Sequence, residues 1–467
     1  MEVYNTLSRK IEKLEDIVDG KRVKMYVCGI TAYDYSHIGH ARSAVFFDVF
    51  RRYLEYLGYE VVYVQNFTDV DDKIINRAVK EGKTQKEVAE KFIEEYLKDM
   101  EALNVKKPTY QPKVTEHIPD IIEFIQNLIE KGYAYVIDGD VYFHVPAFEH
   151  YGELSKQSLE ELNRHRIEPD ERKRDVKDFA LWKSAKEADL KAQAVFDSPW
   201  GRGRPGWHIE CSVMSAKYLG VPFDIHGGGK DLIFPHHENE RAQSFARFGV
   251  EPVKIWVHND FIRIKGEKMS KSLGNIVRIR DVLQRYEGEV LRYFLLTAHY
   301  RSPLDYTEEA LERAKRAYEY LRSALINLDM EIAYLKTFGD RKEGKQVDVE
   351  DYIRRFEEAM NRDLHTPDAI AVLHEFAGLI NKSLYELSLN QAEELYEAFK
   401  RLCGVLGLFE KMERVPALSR EDAEKVVERE RARKERNFEL ADAIRDEFAK
   451  RGIRLIDTPK GTRWRVE

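Results

Sequence analysis

The sequence predicts an α/β protein: a doubly wound parallel sheet carrying an insertion, followed by a helical bundle and a small C-terminal α+β domain. Two stretches, near residues 23–67 and 222–259, alternate short apolar strands with helix-length segments. A charged, hairpin-like stretch at about 110–200 separates them. Beyond about residue 310 the apolar spacing turns helical. The expected divisions are 1–300, with the insertion inside it, then 301–415 and 416–467.

Residues 23–31 (VKMYVCGIT) read as a strand and loop. Residues 41–57 read as a helix, with apolar positions at Val45, Val49, Tyr53 and Leu57, and Gly58 stops it. Residues 60–67 (EVVYVQNF) are the next strand, which completes a βαβ unit and implies a parallel sheet. The second set is a strand at 222–226, a helix near 236–248 and a strand at 255–259. Doubly wound sheets bind ligands outside the carboxyl ends of their strands, and Cys28, Thr68, His226 and Asn259 lie near such ends. In the insertion, residues 131–145 read as a hairpin turning at Asp138-Gly139, and the charged segment 168–178 reads as surface.

In the third part, Thr366-Pro367-Asp368 marks a helix start, with Thr366 as N-cap and proline at the first helical position. Val372, Leu373, Phe376, Leu379 and Ile380 then repeat at helical spacing and read as bundle core. The chain closes with a helix at 438–450, Gly452, and strand-like pieces around 454–456 and 462–466.

Composition narrows the function. The chain has 467 residues, 43% hydrophobic and 34% charged, which fits a water-soluble globular protein. No apolar run approaches the roughly 20 residues of a membrane span. The N-terminus lacks a signal pattern, so secretion is not expected and the protein is placed in the cytoplasm; a monomer is a separate expectation. Three widely separated cysteines make disulfides unexpected. The net charge of −7 argues against a uniformly basic nucleic-acid coat. Residues 431–467 nevertheless hold 11 Lys/Arg against 7 Asp/Glu, a balance of +4. RNA contact at that end and a merely solvated helix face both fit.

Three groups of residues carry chemistry. His37-Ile38-Gly39-His40 opens a helix, whose N-terminal N–H groups and positive dipole end suit phosphate. Gly39 leaves room for a flat base against the backbone. The two imidazoles can donate to charge growing on an α-phosphate. Helix capping or a surface position is the plain alternative for both. Lys268-Met269-Ser270-Lys271-Ser272 lies in a polar loop between Gly266 and Gly274, suited to closing over a nucleotide. There Lys268 and Lys271 can neutralise a triphosphate, and a solvated loop is the alternative. No Walker-type motif competes for the phosphates.

The third group is Cys28, Cys211, His236 and Glu240. Isolated cysteines are most often small buried hydrophobes. Here Cys28 ends a strand, Cys211 shares a helix face with Trp207 at i, i+4, and His236 and Glu240 are again i, i+4. Pro235 reads as the first position of that helix, so His237 and Glu238 should face elsewhere and serve as caps. Two thiolates, one imidazole and one carboxylate suit Zn²⁺ in kind and number.

With these pieces assembled, the chain resembles the cysteinyl-tRNA synthetases, a family of class I aminoacyl-tRNA synthetases. The likeness runs through nearly the whole length. It includes CGITAYDYSHIGHAR at 28–42, NFTDVDDKI at 66–74, GWHIECSVM at 206–214, DIHGGGKDLIFPHHENE at 224–240 and KMSKSLGN at 268–275, with NFELADAIRDEF and DTPKGTRWR near the C-terminus. Departures are minor: Phe67 and Val70, and a less familiar stretch at 149–174.

The resemblance implies a Rossmann-like catalytic domain with a connective insertion and a stem-contact region, a helical bundle and an anticodon-binding domain. It implies one Zn²⁺ per subunit at Cys28, Cys211, His236 and Glu240, and ATP accompanied by Mg²⁺ at His37, Gly39, His40, Lys268 and Lys271. Gly29, Thr68 and Trp207 would line the amino-acid site. The implied partners are L-cysteine, ATP and tRNA(Cys). The implied reaction forms cysteinyl-adenylate and passes the acyl group to the terminal ribose of the tRNA. A metal has a clear use there. Pockets that read shape separate near-identical side chains by only about 1–3 kcal/mol, whereas zinc deprotonates a thiol and binds it.

Two other functions stand as alternatives. Relatives of the family ligate cysteine to an amino-sugar, without need of an RNA-contacting C-terminus. A non-catalytic zinc and RNA-binding paralogue would show damage in 37–40 or 268–272, and both are intact. At the C-terminus, Trp464, Arg463 and Arg465 are candidates to stack on or pair with anticodon bases. Closure of a small core by Trp464 fits equally.

Overall fold

The computed structural model describes residues 1–156, 170–270, 272–341 and 344–466. The chain divides into two compact units: residues 1–310 with 361–364, and residues 311–360 with 365–467.

The first unit begins with a hairpin of β1 (Glu2–Asn5) and β2 (Lys10–Lys13). The first strand–helix–strand unit is β3 (Arg22–Val27), α1 (Ile38–Tyr56) and β4 (Glu60–Gln65). Next come α2 (Asp72–Glu81), α3 (Gln85–Ala102) and α4 (Ile118–Glu130). The insertion holds β5 (Ala134–Ile137), β6 (Asp140–Phe143), β7 (Phe179–Ser184), a short α5 (Glu187–Lys191) and β8 (Gly203–Pro205). The second repeat follows: α6 (Trp207–Leu219), β9 (Phe223–Gly229), α7 (Glu238–Phe248) and β10 (Val253–Asn259). β11 (Ile262–Ile264), β12 (Glu267–Lys268), α8 (Ile279–Leu283), α9 (Gly288–Leu295) and β13 (Leu304–Tyr306) complete it.

The central sheet is parallel throughout, in the order β10-β9-β3-β4. Its strands are buried along nearly their whole length rather than on alternate residues, as a sheet covered on both faces requires. From β3 the chain steps outward to β4, and from β9 it steps outward the other way to β10. The switch point therefore falls between β3 and β9. There the Cys28 N–H donates to the Gly227 carbonyl at 3.2 Å. α1 is buried on most of its circumference, which marks it as a core helix.

The insertion is an antiparallel sheet, β5-β6-β7-β8. Asp138 (φ 50°) and Gly139 (φ 85°) make the expected two-residue turn. The segment expected on the surface behaves differently at its end. Residues 168 and 169 lie outside the described residues. Asp178 is buried, accepting from the Tyr135 hydroxyl at 2.6 Å and the Val145 N–H at 2.9 Å. A charge run does not reveal that its last member ties β5 to the turn after β6.

In the second unit are α10 (Glu308–Phe338) and α11 (Val349–Asn361), but for their residues 308–310 and 361, then α12 (Thr366–Ser383), α13 (Leu389–Val405), α14 (Arg420–Lys434), α15 (Phe438–Lys450), β14 (Ile453–Thr458) and β15 (Gly461–Val466). The cap of α12 is His365, whose Nδ1 accepts from the Asp368 N–H at 3.4 Å, so Thr366 is helical rather than the cap. The C-terminal hairpin is tied into the core. Trp464 is fully buried with Ala333, Val426, Ile444, Phe448 and Leu455, and its indole N–H donates to the Pro416 carbonyl at 2.8 Å. Arg463 is 2% exposed. It pairs with Glu331 at 2.7 Å and stacks 3.5 Å from the Tyr334 ring centre. Base contact by Trp464 and Arg463 is thereby corrected: a two-stranded hairpin cannot hide its own apolar face, and these side chains close it against helices.

Candidate active site and metal centre

A cavity of about 510 Å³ opens at the switch point, and Cys28, Gly29, Thr68, Trp207, Cys211 and His236 all line it. The same cavity reaches His37, Gly39, His40 and Lys268. Two residues absent from the sequence expectations, Asn66 and Asp231, also line it. Lys271 lies outside the described residues.

At one end, Cys28, Cys211, His236 and Glu240 each offer a donor atom, all within 4.8 Å of one another. Cys28 Sγ is 3.8 Å from Cys211 Sγ and 3.4 Å from Glu240 Oε1. His236 Nε2 is 2.7 Å from the same Glu240 oxygen. Zn–S bonds of about 2.3 Å and Zn–N/O bonds of about 2.0 Å place tetrahedral ligands ~3.3–3.8 Å apart. The two sulfur separations match that range, so the residues fit a zinc ion.

A second set of donors, Cys28, His226, His237 and Glu240, meets the same distance limit. The cavity separates the two sets. Cys211 and His236 line it, whereas His226 and His237 do not. An ion that meets a substrate needs an open side, so the first set is the candidate and the second lies behind it. His237 does not face elsewhere, as its expected capping task required. Its Nε2 is 3.2 Å from Cys28 Sγ and its Nδ1 2.7 Å from His258 Nε2. His258 Nδ1 in turn lies 2.7 Å from the Thr6 hydroxyl. His226 Nε2 holds the other Glu240 oxygen at 2.6 Å, and His208 Nδ1 is 3.0 Å from His236 Nδ1. Trp207 stacks on His236 with ring centres 4.2 Å apart. Such outer partners orient metal ligands.

The reason for the His237 error is local. Residues 233–237 form a wide helical turn with Phe234 extended inside it, and α7 begins only at Glu238. Pro235 is therefore not the first position of α7, and a helical wheel drawn from it misplaces His237. Glu238 caps nothing either: buried, it accepts from the Ser155 N–H at 2.7 Å.

The charges in the cluster are strongly coupled. Burial, then Cys211 and Glu240, push the Cys28 thiol well above its usual value. Burial opposes ionisation of Cys211, yet the Cys28 thiol donating to it and the nearby His236 draw it down to about 6. Burial opposes a charge on His236 too, but Glu240 and Cys211 lift it to about 10. Burial likewise works against the Glu240 carboxylate, and His226 and His236 hold it well below the carboxylate range. Among the described residues, Glu240 is ion-paired with histidines alone. A buried carboxylate and thiolate with no Lys or Arg partner make a site that favours a cation.

At the other end, His37 is the N-cap of α1. The His40 N–H points to His37 Nδ1 at 3.4 Å, and the His37 N–H to His40 Nδ1 at 3.2 Å. The rings stack with centres 3.7 Å apart. The capping and phosphate readings thus coincide. Each Nδ1 accepts from the backbone, so in the neutral ring Nε2 carries the proton. Gly39 has a reason the sequence did not reveal: a Cβ there would sit 2.9 Å from His37 Nδ1 and 3.2 Å from Met269 Cε. Gly29 is tighter still, since its Cβ would lie 1.6 Å from the Asn66 carbonyl oxygen. Lys268 is exposed on β12, its Nζ 3.8 Å from the Phe261 ring centre. The following turn is held by Asn275 Oδ1, which accepts from the Ser270 N–H at 2.8 Å.

A switch-point cavity with a histidine-capped first helix and a lysine–serine loop belongs to the class I aminoacyl-tRNA synthetases. Residues 14–316 match the family described as tRNA synthetases class I (C) catalytic domain, and residues 355–410 match the DALR domain. The methionyl-tRNA synthetase of Mycobacterium tuberculosis bound by methionyl-adenylate shares the fold, with a TM-score of 0.62 over 87% of this chain and 94% of that one at 16% identity. The cysteine–tRNA ligase of Thermococcus gammatolerans is 51% identical across 99% of this chain and 98% of its own length. That of Geobacter sulfurreducens is 49% identical across the whole of both. The chain belongs to the cysteine–tRNA ligase family.

Proposed function

We propose that the chain activates L-cysteine with ATP, passes it to the 3′-terminal ribose of tRNA(Cys), and chooses cysteine by its sulfur at Cys28, Cys211, His236 and Glu240. The observation that carries this reading is the convergence of those four donors within 4.8 Å, three of them on a cavity that His37, Gly39, His40 and Lys268 also line. Zinc held there would take a substrate thiol as thiolate, a bond that a serine hydroxyl does not match.

The remaining chemistry belongs to the chain. Gly29, Thr68 and Trp207 border the amino acid and aim its carboxylate at the α-phosphate. No protein nucleophile is needed, because the substrate carboxylate attacks and alignment lowers the barrier. His37 and His40 present Nε2 protons to charge growing on the α-phosphate, helped by the positive end of α1. Lys268 and Lys271, with Mg²⁺ on the nucleotide, neutralise the triphosphate. Residues 1–300 carry the chemistry and the stem contacts, the insertion spans about 110–200, 301–415 form the bundle, and 416–467 read the anticodon. A monomeric, cytoplasmic enzyme fits this reading. Among the described residues no helix is long and apolar enough to cross a membrane.

The test is metal content combined with cysteine-dependent ATP–pyrophosphate exchange. The expected result is one zinc per chain, exchange with cysteine and none with serine. Exchange that survives complete removal of zinc, or equal use of serine with zinc bound, would overturn the proposal.

A further inference from the structure

Asn66 joins the two sides of the amino-acid end of the cavity. It follows β4, is 1% exposed and lines the cavity wall. Its Oδ1 accepts from the Gly29 N–H at 3.0 Å and from the Tyr26 hydroxyl at 3.0 Å, and lies 3.7 Å from Cys211 Sγ. Its Nδ2 donates to Thr68 Oγ1 at 3.3 Å. Two donors aimed at one end of the amide and an acceptor at the other fix which way round it lies. Thr68 gives its own proton to Glu210 Oε2 at 3.1 Å. A hydroxyl has one proton and two lone pairs, so Thr68 keeps one lone pair for a donor arriving through the cavity.

One side chain thus ties together β3 through Tyr26, the loop after it through Gly29, the segment after β4 through Thr68, and α6 through Cys211. The sulfur and the amino nitrogen of a free cysteine are three bonds apart, at most about 4 Å. A site that grips both ends must hold its sulfur-binding and nitrogen-binding groups at a matching separation. We propose that Asn66 is the positioning residue that sets this separation, between the cluster at Cys28 and Cys211 and the acceptor at Thr68. The proposal rests on the reading that Gly29 and Thr68 border the amino acid.

Two variants of the full-length enzyme test it. Asn66→Asp removes the N–H that holds Thr68. Tyr26→Phe is nearly isosteric and removes one of the two donors that orient the amide. The KM values for cysteine and ATP are measured by pyrophosphate exchange, cysteine affinity by calorimetry, zinc by elemental analysis, and Tm by calorimetric scan. For Asn66→Asp the expected result is a rise of about 10- to 100-fold in both the KM and the Kd for cysteine, the range seen when groups that orient ligands are lost. The KM for ATP should stay within about twofold and zinc at the wild-type ratio. Tyr26→Phe should move the cysteine values the same way, by about 3- to 10-fold. A lowered Tm with an unchanged ratio of the two KM values would reduce Asn66 to a structural group and overturn the proposal, as would unchanged cysteine affinity in both variants. Cys211→Ser serves as the reference for the underlying reading. If it keeps full cysteine-dependent exchange, the sulfur-recognition reading itself has failed. If it loses exchange while the Asn66 and Tyr26 variants bind cysteine normally, only the role of Asn66 has.

Discussion

Two buried carboxylates, Glu240 in the first unit and Glu331 in the second, differ in their company. Glu331 is 1% exposed and pairs with Arg463 and Arg341. Its charge is answered by permanent cations, and the pairs fasten β15 and the segment after α10 to that helix. Glu240 is 2% exposed, and among the described residues it is ion-paired with histidines alone, with two sulfurs alongside. Histidines answer a charge conditionally. The contrast offers a rule: a buried carboxylate matched by arginine is a fastener, and one matched by histidine beside thiols is a receptor for something positive. Burial alone does not tell them apart.

Breaking the fastener should have the largest effect. Arg463→Ala leaves Glu331 with one partner fewer and should cost the second unit about 3–5 kcal/mol, seen as an early transition in denaturant unfolding. Pyrophosphate exchange by the folded fraction should remain. Breaking the receptor should do the reverse. Cys211→Ser should lower cysteine-dependent exchange about 10²- to 10³-fold, or ~3–4 kcal/mol, with loss of zinc and little change in the unfolding transition. If both variants lost stability alike, the distinction would be wrong.

His40→Ala sharpens the comparison from the other end of the cavity. It should lower kcat of the exchange reaction about 10²-fold and weaken cysteine binding far less. Equal losses would remove His40 from the transition state. A fourth test uses a carboxylate that nothing fully answers. Asp99 on α3 is pushed up to about 6, by burial first and Glu95 second, against an opposing pull from Arg280. Because its folded pKa is raised, its contribution is fully present below about 3.8 and is lost as pH rises through about 6. Asp99→Asn removes this titration. Relative to the wild type it should gain on the order of 2 kcal/mol between pH 3.5 and pH 7, measured as the difference in unfolding free energy at the two pH values.

The four-ligand set was legible because its spacings survive folding. Cys28 follows directly on β3, Cys211 keeps its helical relation to Trp207, and His236 and Glu240 meet across one turn. The layer behind them was not. His226 and His258 lie within apolar strands, where an isolated histidine gives no sign of what it touches. His237 was misplaced because the turn at 233–237 is not α-helical. Asn66 opens the NFTDVDDKI stretch, yet a polar residue at a strand end gives no sign of which neighbouring groups it holds. Trp464 and Arg463 were ambiguous because aromatic and basic residues suit an RNA face and a hairpin core equally. Only the packing against α10 separates the two. The α/β order was plain from periodicity, while the cap of α12 slipped by one residue, since His365 does the work expected of Thr366.

The position of Trp464 has a practical side for anyone handling this chain. It fills the space between Ala333, Ile444 and Phe448. Cutting the chain before Trp464, by a carboxypeptidase or by a stop codon placed early, would uncover a greasy hollow on α10. Such a clipped product should stick to itself and to chaperones, so an intact mass at the carboxyl end is the first quality check on any preparation.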